Sequence, residues 1–212
     1  MPEATARPPT RKQALAIAGA VNLRAQDVPG FKASTRHDHE SASESRLAQK
    51  LFLCAGKLGF AGALAEEGSK EFERRAGPFK QGISSQVTVM RTAALANKDL
   101  TAMRSGRMRA CVSQYLDQVF NAEKHRGVTI SPVSIAHGSP PAPGTSGSFG
   151  WRLSASISTR GLRIPFYMDI LGFVHGATET SLYSSGIPEP FPAATEERLF
   201  SLLVKRAKAA GG

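Results

Sequence analysis

Apolar positions recur at two different periods along this chain, and the change of period divides it. From Thr10 to Leu23, Leu15, Ala18 and Val21 return at helical spacing and lead into Asn22 and Leu23, which predicts an amphipathic helix. Asp27-Val-Pro-Gly-Phe31 reads as a turn, with a short strand over 31–36. A second helix is predicted over 41–57, where Leu47, Leu51, Cys54 and Leu58 share a face and Ser41 with Glu44 resembles a capping box; Gly59 and Gly62 end it. Residues 63–83 are charged and turn-rich, with Phe72 and Phe79 as their contribution to a core. Ala93–Phe120 returns to helical spacing, broken near Ser105-Gly106. Its second half carries Cys111, Val112, Tyr115, Leu116, Val119 and Phe120 on one side.

Elsewhere the period is two. Val87 and Val89 alternate with Thr88 and Met90 in a strand over 84–92. Val128–His137 alternates through Ile130 and Ile135, and Phe149–Thr159 through Trp151, Leu153, Ala155 and Ile157. Between them Ser139–Ser148 is rich in Pro, Gly and Ser and predicts a loop. After a turn at Arg160-Gly161, Leu162–Ile170 and Leu171–Leu182 supply two more strands, followed by a proline-bearing loop over 183–192. A last helix covers 195–209, with Thr195 as N-cap and Leu199, Leu202, Leu203 and Arg206 along one flank. Helices first, a meander of strands late and a closing helix predict an α+β fold with one antiparallel-rich sheet flanked by helices. Residues 10–210 are expected to form a single domain, with 1–9 a flexible Pro/Ala-rich linker.

Hydrophobic residues make up 41% of the 212 residues, which is enough for a sizeable core. No apolar run approaches membrane-spanning length. Lys and Arg number 27 against 17 Asp and Glu, a formal net charge of +10. The excess runs along the whole chain. A tail dedicated to nucleic acid would concentrate it, so a solvated basic surface is the simpler reading. Arg11 and Lys12 before an apolar, alanine-rich stretch mimic a signal peptide, but the stretch is short and reads better as a structural helix. Then either an export signal or lipid anchor lies upstream of Met1, or the chain is not exported.

The chain has two cysteines, Cys54 and Cys111, each on the apolar face of a predicted helix. A disulfide between them implies an oxidising compartment. The alternative is a reactive Cys54 with Cys111 an unrelated core residue, yet Leu51, Phe52 and Leu53 around Cys54 favour an inert sulfur.

Candidate chemistry is sparse. His37-Asp-His-Glu40 could ligate a metal from an extended strand if His125, His137 or His175 converged on it, but the spacing fits no standard site and an exposed polar lead-in to helix two is the better reading. Lys98, Arg104, Arg107 and Arg109 form a basic stretch, read as a phosphate-binding face or as the solvated flank of a helix. Gly144–Gly150 resembles a phosphate loop only by glycine count; it lacks the lysine and the following helix. No nucleophile elbow or aromatic-plus-basic stacking surface is present. Trp151, Phe166, Tyr167, Met168, Phe173 and Tyr183 lie where strands and loops could line a ligand pocket, although for any one of them packing of the sheet core is the more ordinary role.

A resemblance adds to this. Ala16–Phe31, ending Asn22-Leu-Arg-Ala-Gln-Asp-Val-Pro-Gly-Phe31, together with Cys54, Gly77-Pro-Phe79, Ser84-Ser-Gln-Val87 and Cys111, resembles actinobacterial secreted proteins and lipoproteins similar to the extracellular sensor domain of mycobacterial receptor serine/threonine kinases. The resemblance covers most of residues 14–209. It implies an α/β sandwich of the PsbP and Mog1-like type, without enzymatic activity, that binds a ligand or partner in a cleft between sheet and helices. Two departures matter: the kinase sensors carry two disulfides where this chain can form one, and no kinase domain or lipobox cysteine is present. A stand-alone exported protein is therefore expected.

The residues and the resemblance lead to one expectation: a non-enzymatic extracytoplasmic ligand- or partner-binding domain, sensor-like, with no catalytic residue, metal or cofactor. Its expected partner is a small molecule, a lipid or a cell-envelope component, and not nucleic acid. Its charge would allow peripheral membrane association, and a monomer is expected. The alternatives are a binder of anionic polymer or membrane surface through the basic face, and a metal-dependent enzyme built on His37 and His39.

Overall fold

A computed structural model of the chain describes residues 8–34, 50, 51, 53, 54, 56, 62–124, 129–131, 134–159 and 161–211. Helix α1 (Arg11–Val21) opens on Thr10, whose hydroxyl accepts from the Gln13 amide while the Gln13 side chain accepts from Thr10 N–H. Strands β1 (Lys32–Ala33), β2 (Ala63–Gly68), β3 (Phe72–Ala76) and β4 (Phe79–Met90) follow. Next come helices α2 (Ala93–Met103) and α3 (Gly106–Lys124), then strands β5 (Thr129–Ile130), β6 (Ser134–Gly138), β7 (Gly147–Thr159), β8 (Leu162–His175) and β9 (Thr178–Ile187). Helix α4 (Ala193–Ala210) closes the chain.

The fold is α+β. Among the described residues the strands form one nine-stranded antiparallel sheet ordered β1-β3-β4-β9-β8-β7-β5, with β2 also paired to β4 and β6 to β7. Period-two alternation sends successive side chains to opposite faces, so the sheet has a core on each side. On one face Ile83, Val87, Val89, Phe173 and Leu182 pack against Ala14, Ala18 and Val21 of α1 and Leu199, Leu203 and Ala207 of α4. On the other face Met90, Trp151, Leu153 and Val174 pack against Leu100 and Met103 of α2 and Met108, Cys111 and Val112 of α3. The stripe α1 buries is Ala14–Ala18–Val21, and Leu15 faces outward. Small alanines let the helix lie close to the sheet.

Two polar clasps hold the α1 side. The Ser85 hydroxyl accepts from Leu23 N–H at 2.9 Å and donates to Asn22 Oδ1 at 2.7 Å, while Asn22 Nδ2 donates to Glu67 O at 2.8 Å. Asp27, buried beyond α1, accepts two bonds from Arg206 of α4 at 2.7 and 2.8 Å and one from Arg24 N–H at 2.7 Å. Two long-range connections therefore seat the helices by hydrogen bonding as well as by apolar burial.

Several sequence expectations change. Residues 63–83 are not turn-rich: they hold β2, β3 and the start of β4. Their charged residues, such as Glu67, Arg74 and Arg75, sit on exposed positions of strands lying toward the sheet's edge, where charge guards unpaired backbone. Phe72 does enter the core, but Phe79 stays 38% exposed beside the β3–β4 turn. The strand expected over 84–92 already begins at Phe79, and the one expected over 128–137 is two, β5 and β6. The break between the last two strands falls at Gly176-Ala177, not at Ile170-Leu171, because Gly176 at φ +56° supplies the turn conformation. Strand β9 runs on to Ile187, which places Tyr183 inside a strand and not in a loop. Helix α4 begins two residues before Thr195, on Pro192, with no side-chain cap. The helix break near Ser105 is where the sequence puts it, between α2 and α3. Most of the predicted second helix lies outside the described residues, with Leu51 and Cys54 in helical conformation within it.

Candidate functional site

A cleft of about 350 Å³ opens where the α2–α3 joint meets β6 and β7. Four features of the chain build it. The helix break leaves Arg104 as the C-cap residue of α2, beyond the last apolar turn that ends in Met103. There its Nε donates to Ser148 O at 2.7 Å, which fixes the guanidinium plane over the start of β7. That approach needs Gly147: its φ is +148°, and a Cβ there would stand 2.6 Å from Arg104 Nη2. The Ser148 hydroxyl donates to Pro140 O and ties the 139–146 loop to the same strand.

The floor comes from β7. Phe149 and Trp151 alternate onto the α2 side, and the Phe149 ring lies across Gly172 of β8, where any Cβ would fall 2.2 Å from its Cζ. Trp151 is 4% exposed, and its indole N–H has no hydrogen-bond partner among the described residues. His137 sits directly across from Trp151 on β6, with the ring centroids 5.6 Å apart and tilted by 48°. Met103, Gly138, Ser139 and Gly150 complete the lining. Among the described residues the cleft thus combines apolar surface with three nitrogen-bearing side chains, Arg104, His137 and Trp151, and no acidic residue.

No protein-family model matches the chain, and no curated protein sequence matches it. Solved structures do.
The chain is similar to the extracellular domain of PknH from Mycobacterium tuberculosis.
The two share 13% sequence identity over 95% of this chain and 98% of that one, with a TM-score of 0.47.

The six pocket candidates read from the sequence do not meet at one place. Trp151 lines the cleft. Met168 and Phe166 pair with Leu153 and Ala155, so they share the Trp151 face further along the hairpin. Tyr183 lies on that face too, and its hydroxyl donates to Gln86 Oε1 at 3.1 Å. Phe173 is fully buried on the opposite face, edge-to-face with Phe200 of α4 at 5.5 Å, and Tyr167 also faces that side. Adjacent strand residues cannot both enter one pocket, and this separates Phe166 from Tyr167. Cys54 and Cys111 form a disulfide with a Cα separation of 5.9 Å, on the α3 side of the sheet.

Of the basic stretch, Arg104 reaches the cleft while Lys98, Arg107 and Arg109 are exposed. The glycine-rich run 144–150 leads into β7 and not a helix. His37, His39, Glu40 and His125 lie outside the described residues. Among the described residues no group of three or more His, Cys, Asp or Glu is placed to hold a metal. Sequence reasoning names Arg104 and His137 only in other roles. The signal for them is conjoint: a helix break ending in Arg, and a histidine at the end of a strand that pairs beside the sole tryptophan.

A second polar cluster, unmarked in the sequence, lies under α4. Arg152 donates to both oxygens of buried Asp169 at 2.7 Å, and the Ser184 hydroxyl donates to buried Glu196. Arg152 Nη2 also stands 3.9 Å from Glu196 Oε2. Burial first, then the negative charges of Asp169 and Glu197, push the Glu196 carboxyl above its ordinary 4.5, against the Ser184 bond and Arg152. A raised folded value means the stability tied to this group is complete below its unfolded value and is lost as pH rises through the folded one. Glu196→Gln is therefore expected to stabilise the protein at pH 8 relative to wild type, with the gain shrinking toward pH 4. Urea unfolding of both proteins across that range measures it, and a variant less stable at every pH would contradict it.

Proposed function

We propose that this chain is a non-enzymatic, extracytoplasmic ligand-binding domain, and that the cleft at the α2–α3 joint is its binding site. The observation that carries this reading is the cleft itself, a concavity with an aromatic floor and a few converging polar groups, the usual form of a small-molecule site. The Cys54–Cys111 bridge supports the compartment, because structural disulfides persist in oxidising surroundings. Non-enzymatic binding is supported by the chemistry of the lining. A serine nucleophile needs a base within hydrogen-bond reach. Ser139 and His137 share the cleft without a bond between them, and His137 lies against Trp151 instead. A small molecule or a cell-envelope component of similar size suits the volume.

Trp151 is the sole tryptophan, so one indole N–H resonance reports on the cleft. Screening a fragment library by two-dimensional nitrogen–proton NMR is expected to return compounds that shift this resonance together with the Gly138 and Gly150 amides. A library whose binders all shift residues elsewhere, or which yields no binder, would overturn the assignment.

A further inference from the structure

We infer that the cleft takes a small organic anion, with its carboxylate or phosphate held between Arg104 and Trp151 and its apolar body against Phe149 and Met103. This rests on the cleft being a ligand site and adds the chemical class of the ligand.

Three observations converge on it. The first is the donor set. An indole N–H can only donate, and that of Trp151, a residue lining the cleft, is buried with no acceptor among the described residues. A buried donor without a partner is unfavourable, so the group that completes it must be an acceptor. The second is Arg104. Its Nε is engaged by Ser148 O, while among the described residues no carboxylate pairs with its guanidinium. The side chain is thus held in place with its terminal nitrogens uncommitted, the arrangement that recognises carboxylate or phosphate in two-pronged fashion. Pre-ordering of this kind lowers the entropic penalty of binding. The third is the absence of an opposing charge: among the described residues none that lines the cleft is acidic, and the chain as a whole carries +10. A cation would meet a guanidinium here, and a neutral apolar molecule would leave it unanswered.

The apolar half of the lining limits the ligand further. Met103 and Phe149 are each 7% exposed and form a wall beside the donors. A bare inorganic ion would not use that wall, whereas a compact aromatic or branched acid would.

The test compares charge at constant shape. Benzoate, phenyl phosphate, benzamide and benzylamine are titrated into the full chain while the Trp151 indole resonance and fluorescence are followed. Benzoate or phenyl phosphate is expected to shift the indole N–H downfield and to bind about tenfold or more tighter than benzamide, with benzylamine the weakest. Arg104→Gln, at an exposed helix end, is expected to weaken the anion by about tenfold or more and leave benzamide unchanged. Trp151→Phe keeps an aromatic ring on the floor but removes the donor together with part of the indole packing; followed by the Gly138 and Gly150 amides, it too should weaken the anion, and more than it weakens benzamide. Equal binding of benzamide and benzoate, or full anion affinity in Arg104→Gln, would overturn the anion assignment while leaving the cleft a binding site. Failure of all four probes to move the resonance would overturn the anion assignment, and an empty fragment screen beside it would remove the cleft reading as well.

Discussion

Replacing both cysteines by alanine is expected to lower the unfolding free energy by about 4 kcal/mol, the entropy of closing a loop of this length in the denatured chain. The bridge joins residues 57 apart. For a chain of this size that corresponds to a fall in Tm of about 8–16 °C. Thermal and urea unfolding, with and without reductant, measure it: reduced wild type should match the double variant, and reductant should leave the variant unchanged. The loss should be felt first on one side. Cys111 is buried beside Met103, Met108 and Val112, so amide exchange in α3 should accelerate before exchange in α1 or α4. Alanine is the right replacement because a serine hydroxyl at the buried Cys111 would add a polar penalty of its own. An oxidised protein no more stable than the reduced one would remove the structural role of the bridge and the main support for the compartment.

Arg206→Met is expected to cost about 3–5 kcal/mol, because it leaves the buried Asp27 carboxylate without its counter-charge. Both guanidinium nitrogens of Arg206 bond Asp27, and Nη1 also reaches Asn22 O at 3.0 Å. Removing one partner is far worse than removing both, so Asp27→Asn combined with Arg206→Met should recover part of the loss. The pH dependence runs opposite to that of Glu196. Burial alone would push the Asp27 carboxyl up, but the Arg206 bond, the Arg24 amide and the two positive charges together hold it below its ordinary value. A depressed folded value gives stability that is present above the unfolded value, about 3.9, and lost as pH falls through the folded one. Wild type should therefore lose stability below about pH 4 more steeply than Arg206→Met does, when both are followed by urea unfolding.

The two carboxylates show why charge was hard to read along the chain. Asp27 and Glu196 are both acidic residues in polar surroundings of the sequence, and both are buried. One is matched by an arginine at close range. The other shares a pocket with a second carboxylate. Local neighbours, Arg24 for Asp27 and Glu197 for Glu196, are only part of the difference, because the closest side-chain partners come from α4 in one case and from β7 and β9 in the other.

Element types were legible wherever burial was one-sided. Trp151, Leu153, Ala155 and Ile157 alternate in the sequence and share one face in the sheet. The stripe through Cys111 and Val112 does the same for α3. Legibility failed where strands approach the sheet's edge: β2 and β3 carry Glu66, Glu67, Arg74 and Arg75, and an edge strand that guards itself with charge looks like a loop. It also failed at strand ends, where serines extend β9 through Ser184 and Ser185 with no apolar signal.

By itself the sequence determined the periods of its amphipathic helices and of its half-buried strands, and the helix break at Ser105. These follow from backbone geometry, which repeats every 3.6 or 2 residues and is written into neighbouring positions. Only the tertiary structure decided that Arg104 would meet Ser148, 44 residues away, and that His137 would face Trp151 across a strand pair. Those meetings depend on register and on how two sheet faces divide the aromatic residues. A one-residue shift in pairing would turn Trp151 from the cleft to the other side, and no local pattern specifies that register.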